Sequence, residues 1–235
     1  YLTSASPVIM ALKASGNSMV VEEYTPDSTD ANAFKWYIDQ IGVDVPLMKQ
    51  TGSVWCGPTS YLQVLLGKSE NVVGNRYNTT LNFQQSTIKA TFTDFVEGAG
   101  VFIPNQSFAN GINNGDYIPE GYVCHELEVT NSVTQDTIYN SITNSLRKGM
   151  ACMFMTSTGK PPYKQTYNGN GHIICIMGYD PSSNTILISN CHYWDSTDDT
   201  YGVFGIFEID FEDFCEDVGH LWYFTCTEQS EGEQP

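Results

Sequence analysis

Apolar positions change their spacing partway along the chain, from a helical three-four repeat to short strand-like runs. Met19–Tyr24 reads as a strand, and the turn and capping residues that follow it close an N-terminal extension over 1–33. Phe34, Tyr37, Ile38 and Ile41 share one helical face, with Gly42 as the stop, and Val43–Met48 reads as an extended lead-in. Gly57-Pro58 then opens a run carrying Tyr61, Leu62, Val64, Leu65 and Leu66, with Gly67 behind it. Proline suits a first helical turn and glycine suits the position past a helix end, so this run predicts a buried helix starting at Cys56. Further helices are expected over Ser86–Glu97 and over Thr134–Lys148, where Ile138, Ile142 and Leu146 recur every four residues.

Beyond Lys148 the pattern becomes that of an antiparallel sheet. Met150–Met155, His172–Tyr179, Thr185–Ser189, Val203–Ile209 and Leu221–Cys226 are short apolar runs separated by turn residues. Helices first and strands later predict an α+β fold, with one domain over 34–227 and a polar tail over 228–235.

Composition narrows the function. The chain has 235 residues, of which 41% are hydrophobic and 16% charged, so most of it is expected to fold around a core. Ten Lys and Arg against 27 Asp and Glu leave a net charge of −17, which disfavours nucleic acid and anionic membrane surfaces as partners. The longest apolar runs, such as Val8–Leu12 and Ile173–Met177, fall far short of the roughly 20 residues of a membrane span. Abundant Asn, Ser and Thr (17, 19 and 22) resemble the surfaces of secreted bacterial proteins, and a secreted or cell-surface location is expected. The chain begins at Tyr1 rather than Met, so its native start is expected to lie outside it, and targeting is not legible.

Nine acidic residues lie between Asp195 and Asp217. They lack the spacing and glycine of a calcium-binding loop, so a solvated loop is expected, and no metal or other cofactor is predicted. Asn78-Thr-Thr80 and Asn105-Gln-Ser107 match the glycosylation triplet, a pattern too common to weigh. Seven cysteines, with no pair spaced as in metal ribbons or redox motifs, leave at least one thiol unpaired. A Cys215–Cys226 disulfide across the intervening turn is conceivable.

The chemistry gathers around Cys56. A helix N-terminus carries unbonded N–H groups and partial positive charge, which favour a thiolate and predict a lowered thiol pKa. Gln50 lies six residues upstream, where its side-chain amide could face an oxyanion. His172 opens a strand after a flexible Asn/Gly run, and Asn190 closes the next strand of the same hairpin. A thiol, an imidazole and a carbonyl that orients the ring are what nucleophilic thiol catalysis requires. His125, His192 and His220 are the other imidazoles, each expected to be structural.

Gln50-Thr-Gly-Ser-Val-Trp-Cys56-Gly-Pro58, then Gly171-His172 leading into Gly178-Tyr179-Asp180, then Ile186-Leu-Ile-Ser-Asn190 resemble the C39-like cysteine peptidases of the papain superfamily. The resemblance implies a papain-like fold, a helical N-terminal half packed on a C-terminal antiparallel sheet. It implies Gln50 in the oxyanion hole, Cys56 as nucleophile and His172 as base. Many C39-like members carry aspartate at this position, whereas Asn190 with Trp194 nearby is closer to the arrangement of papain itself; Asn190 is the expected partner of His172 and Asp195 the substitute. The expected function is thiol-dependent cleavage of a peptide or isopeptide bond in a peptide or protein substrate. Acyl transfer or amidase action on the same scaffold, and a non-catalytic surface binding module, are the alternatives; oligomeric state is not legible.

Overall fold

The computed structural model describes residues 9–15, 18–24, 41–52, 54–68, 81–96, 100–101, 103–156, 171–191 and 204–227. The chain divides into two compact units, residues 1–39 and 40–235. In the first, β1 (Ile9–Ser15) and β2 (Ser18–Tyr24) pair antiparallel, with Ser15 opposite Ser18. The sequence between them is Gly16-Asn17, suited to a two-residue hairpin connection. β2 follows the strand read from the sequence; its partner β1 was not anticipated.

The second unit is built on a seven-stranded antiparallel sheet. Its strands are β3 (Ile41–Gly42), β4 (Tyr122–Glu128), β5 (Cys152–Thr156), β6 (Ile173–Asp180), β7 (Thr185–Asn190), β8 (Gly205–Asp210) and β9 (Val218–Cys226). They run in the order β4-β9-β5-β6-β7-β8, and β3 pairs with β6. Ile41, expected to end a helix, therefore lies in a strand opposite Tyr179, while 34–40 fall outside the described residues.

Helices cover both faces, which explains why all eight residues of β6 are buried and read as a continuous apolar run. On one face α1 (Cys56–Lys68), α2 (Leu81–Lys89) and α3 (Ser107–Asn114) pack against Met153, Ile173, Cys175, Met177, Trp222 and Phe224. On the other, α4 (Gln135–Arg147) and α5 (Phe211–Asp217) pack against Cys152, Phe154, Ile174, Ile176 and Leu221. Alternation along each strand sorts the side chains between the two layers. The mixed helix and antiparallel-sheet architecture is the one expected, and the second helical layer comes from the later part of the chain.

α1 is the central helix: residues 57–66 are all buried, and Tyr61, Leu62, Val64 and Leu65 are fully enclosed. Each such side chain contributes roughly 1.5–3 kcal/mol by leaving water. The helix includes Gly67 rather than stopping before it. A Cβ there would lie 3.1 Å from the Asp44 carbonyl oxygen, so the glycine lets the 43–45 lead-in pass tightly over the helix.

α2 begins and ends earlier than its apolar residues suggest. Its inward face includes Gln84 and Gln85, both buried, while Phe92 and Phe95 sit in the turns that follow Lys89. α4 matches its expected span, capped by the Thr134 side chain accepting from the Thr137 N–H at 3.2 Å. The acidic stretch is more ordered than a solvated loop over 204–217, where β8 and α5 lie. Asp210 caps α5 and Phe211 and Phe214 anchor it in the core; 192–203 fall outside the described residues. All seven cysteines are free thiols, so Cys215 and Cys226 are not bonded. Among the described residues no helix is long and apolar enough to cross a membrane.

Candidate active site

The Cys56 thiol stands at the N-terminus of α1, half-buried. The following Gly57 brings this helix tip close to the sheet: a Cβ there would meet Val101 at 3.0 Å and the Ile173 side chain at 3.3 Å. The backbone amides of Ile173, at the start of β6, of Gly57 and of Cys56 itself favour the charged form of the Cys56 sulfur. Burial pushes the thiol up from its ordinary value, while these three amides pull it down. The net direction is upward, opposite to the lowering expected from a helix tip, because packing of the α1 tip against β6 encloses the sulfur.

His172 precedes that amide by one residue. Its carbonyl accepts from the Thr156 N–H at 3.1 Å, continuing the ladder between β5 and β6 and fixing the backbone. Its Nε2 lies 2.8 Å from Asn190 Oδ1, and the two residues are 2% and 0% exposed. Asn190 ends β7, the neighbour of β6, so the hairpin delivers both partners to the same end of the sheet.

Gln50, 4% exposed, is held from several sides. Its backbone N–H donates to the Cys191 carbonyl at 2.8 Å, and its side-chain Nε2 donates to the Gly52 carbonyl at 2.9 Å. The flanking backbone is pinned by Gln85, whose Oε1 accepts from the Thr51 N–H and whose Nε2 donates to the Lys49 carbonyl, both at 2.8 Å.

Cys191 joins these parts. Its buried sulfur lies 3.7 Å from Gln50 Oε1, 3.8 Å from the Cys56 carbonyl oxygen, 3.6 Å from Ser60 Oγ and 3.9 Å from the Ile173 carbonyl oxygen. Ser60, one turn after Cys56, donates to the Ile173 carbonyl at 3.0 Å. Gln50, Cys56, His172 and Asn190 are thus linked through Cys191, Ser60 and Ile173. Gln85 and Cys191 were missed in the sequence. Gln85 has no motif to mark it, whereas Cys191 is signalled only by its adjacency to Asn190.

The other imidazoles have different settings. His125 Nε2 lies 2.7 Å from Thr225 Oγ1 and its ring stacks on Tyr223, while His220 Nδ1 lies 3.0 Å from Glu126 Oε1. His192 and Asp195 fall outside the described residues. Among the described residues no group of three or more His, Cys, Asp or Glu could hold a metal ion.

A model of the Peptidase_C39 like family matches residues 43–214, which takes in Gln50, Cys56, His172 and Asn190. The chain belongs to that family. Similarity among solved structures extends to digestive procathepsin L2 proteinase from Tenebrio molitor larval midgut, at 16% identity and a TM-score of 0.39 over 77% of this chain and 64% of that one. It also extends to xylellain, a cysteine protease from Xylella fastidiosa, at 13% identity and a TM-score of 0.36 over 86% of this chain and 90% of that one. This Peptidase_C39 like chain therefore spans less than two thirds of the procathepsin's length. No curated protein is similar enough in sequence to register as a match.

Proposed function

We propose that this chain is a cysteine peptidase that hydrolyses peptide bonds through a thioester on Cys56. The observation that carries the reading is the buried His172–Asn190 hydrogen bond, one residue from Ile173, whose side chain packs at the Cys56 end of α1. Family membership supports it at the level of the protein class.

With Nε2 turned to Asn190, Nδ1 is the ring nitrogen that exchanges a proton with the thiol. His172 takes that proton as the sulfur adds to the substrate carbonyl carbon, and the carbonyl electron pair moves onto oxygen. Gln50 Nε2 and the Cys56 N–H are the donors for this oxyanion. Collapse expels the amine, which receives the proton from His172. A water molecule then adds to the thioester with His172 as base, releasing the carboxylic acid and restoring the thiol. Because burial favours the neutral thiol, the thiolate forms as half of an imidazolium pair rather than as a lone anion.

The test is cleavage of a mixed peptide library by wild type and by Cys56→Ala, run with and without an added amine. Hydrolysis lost in Cys56→Ala, with only carboxylate products, is the expected result. Amide products formed with the added amine would make the protein an acyl transferase. Intact peptides throughout, with Cys56 inert to iodoacetamide, would leave a binding module.

A further inference from the structure

A cavity of about 590 Å³ opens on the sheet face that carries α1. Glu126, Glu128 and His220 line it together with Met155, Ile103 and Asn105. Strand register connects it to Cys56. Glu128 lies opposite His220, His220 opposite Met155, and Met155 opposite Ile173, a row across β4, β9, β5 and β6. The row ends at Ile173, whose side chain would meet a Cβ on Gly57, the residue after Cys56, at 3.3 Å. With strands about 4.8 Å apart, His220 lies roughly 10 Å and Glu128 roughly 14 Å from Ile173. An extended substrate advances about 3.3 Å per residue, so a residue one to three positions from the scissile bond can bring a long side chain to the cavity.

The lining is matched to an amphipathic cation. Glu126, with its side chain 5% exposed, is fixed by two donors: His220 Nδ1 at 3.0 Å from one oxygen and Trp222 Nε1 at 3.0 Å from the other. Trp222 is in the core on α1's face, which places the Glu126 carboxylate on the Cys56 side of the sheet. The Trp222 ring also stacks with the His220 imidazole. A carboxylate oxygen accepts more than one hydrogen bond, so Glu126 retains capacity for a further donor. Glu128 adds a second, exposed carboxylate at the rim. Met155 and Ile103 supply apolar wall for an alkyl stem, and no Lys or Arg occurs among the described lining residues. The net charge of −17 favours approach of the same class of substrate.

We propose that this cavity is the specificity pocket of the Cys56 site and takes the side chain of Lys or Arg one to three residues from the scissile bond, with Glu126 and Glu128 as counter-charges. The assignment of the pocket to a substrate rests on the peptidase reading above.

Paired peptides that differ only in Arg against its neutral isostere citrulline test it. Wild type is expected to favour Arg by roughly 10- to 100-fold in kcat/KM, the range of a charge-assisted hydrogen bond, and Glu128→Gln and Glu126→Gln should each move that ratio toward one. Equal cleavage of both peptides by wild type, or a preference for citrulline, overturns the proposal. Binding of the same pair to Cys56→Ala, followed by fluorescence anisotropy, separates the two readings. Arg preference in binding without cleavage by wild type sinks the peptidase reading and keeps the pocket. Equal binding of the pair sinks the pocket.

Discussion

His172 Nε2 and Asn190 Oδ1 meet at 2.8 Å in a setting where both residues are almost wholly enclosed. A buried ring nitrogen without its partner would be costly, so this bond orients the imidazole and also stabilises the hairpin that carries it. Asn190→Ala is expected to lower kcat by roughly 100-fold and to cost about 1–3 kcal/mol in urea unfolding. Asn190→Asp keeps an acceptor and adds a negative charge beside the ring, which favours the imidazolium. Its pH–rate profile should therefore retain activity to higher pH than that of wild type. An Asn190→Ala enzyme with unaltered kcat would show that His172 needs no orienting partner.

In the proposed mechanism Gln50 acts on the oxyanion and not on the thiol. Gln50→Ala should lower kcat by roughly 100- to 1000-fold, while the rate of Cys56 alkylation by iodoacetamide, which forms no oxyanion, changes little. A parallel fall in both rates would mean that Gln50 supports the geometry of the helix tip instead.

Gln85 holds the backbone on both sides of Gln50 and lies in a helix that carries no recognisable motif. In Gln85→Ala the Thr51 N–H and the Lys49 carbonyl lose their partners, for an expected loss of about 2–4 kcal/mol in chemical denaturation. With Gln50 loosened, kcat should fall more steeply than KM rises. A variant with wild-type stability would show that water replaces both bonds.

The buried thiols set an alkaline limit to stability. Burial pushes Cys152 up to about 12 from an ordinary 9.0. The folded state therefore holds this proton where the unfolded chain releases it, so the contribution is complete below about pH 9 and is lost as pH rises toward 12. One such group tilts stability by about 1.4 kcal/mol per pH unit within that window. Burial raises Cys124 and Cys175 in the same direction. Thermal melts at successive pH values should show the decline, and Cys152→Ala should make it shallower. An unchanged slope would assign the alkaline loss to other groups.

Local signals were enough wherever one segment had to satisfy its own chemistry. The Pro58 start of α1, the four-residue repeat of Ile138, Ile142 and Leu146, and the turn-separated runs of β5 to β9 each reveal an element without reference to the rest of the chain. Ser107–Asn114 and Phe211–Asp217 give no local signal because Asn, Gly and acidic residues dominate them. Two or three apolar anchors apiece become visible as a buried face only against the sheet. α2 lies earlier than its apolar residues indicate for the reverse reason: Gln84 and Gln85 are buried and Gln85 bonds neighbouring backbone, and no periodicity of apolar residues reports that.

The same division runs through the site. Residue type and order nominated Gln50, Cys56, His172 and Asn190, since thiol chemistry needs those groups and the motifs bring them in that sequence. Tertiary structure alone decided that Nε2 is the nitrogen facing Asn190, that Cys191 contacts Gln50 and Gln85 holds the backbone beside it, and that enclosure raises the Cys56 thiol. The alignment of the cavity residues Glu128, His220 and Met155 with Ile173 is likewise a product of register across four strands. Hydrogen-bond direction, desolvation and cross-strand alignment depend on residues from 18 to 141 positions apart in the chain, and no local pattern carries that information.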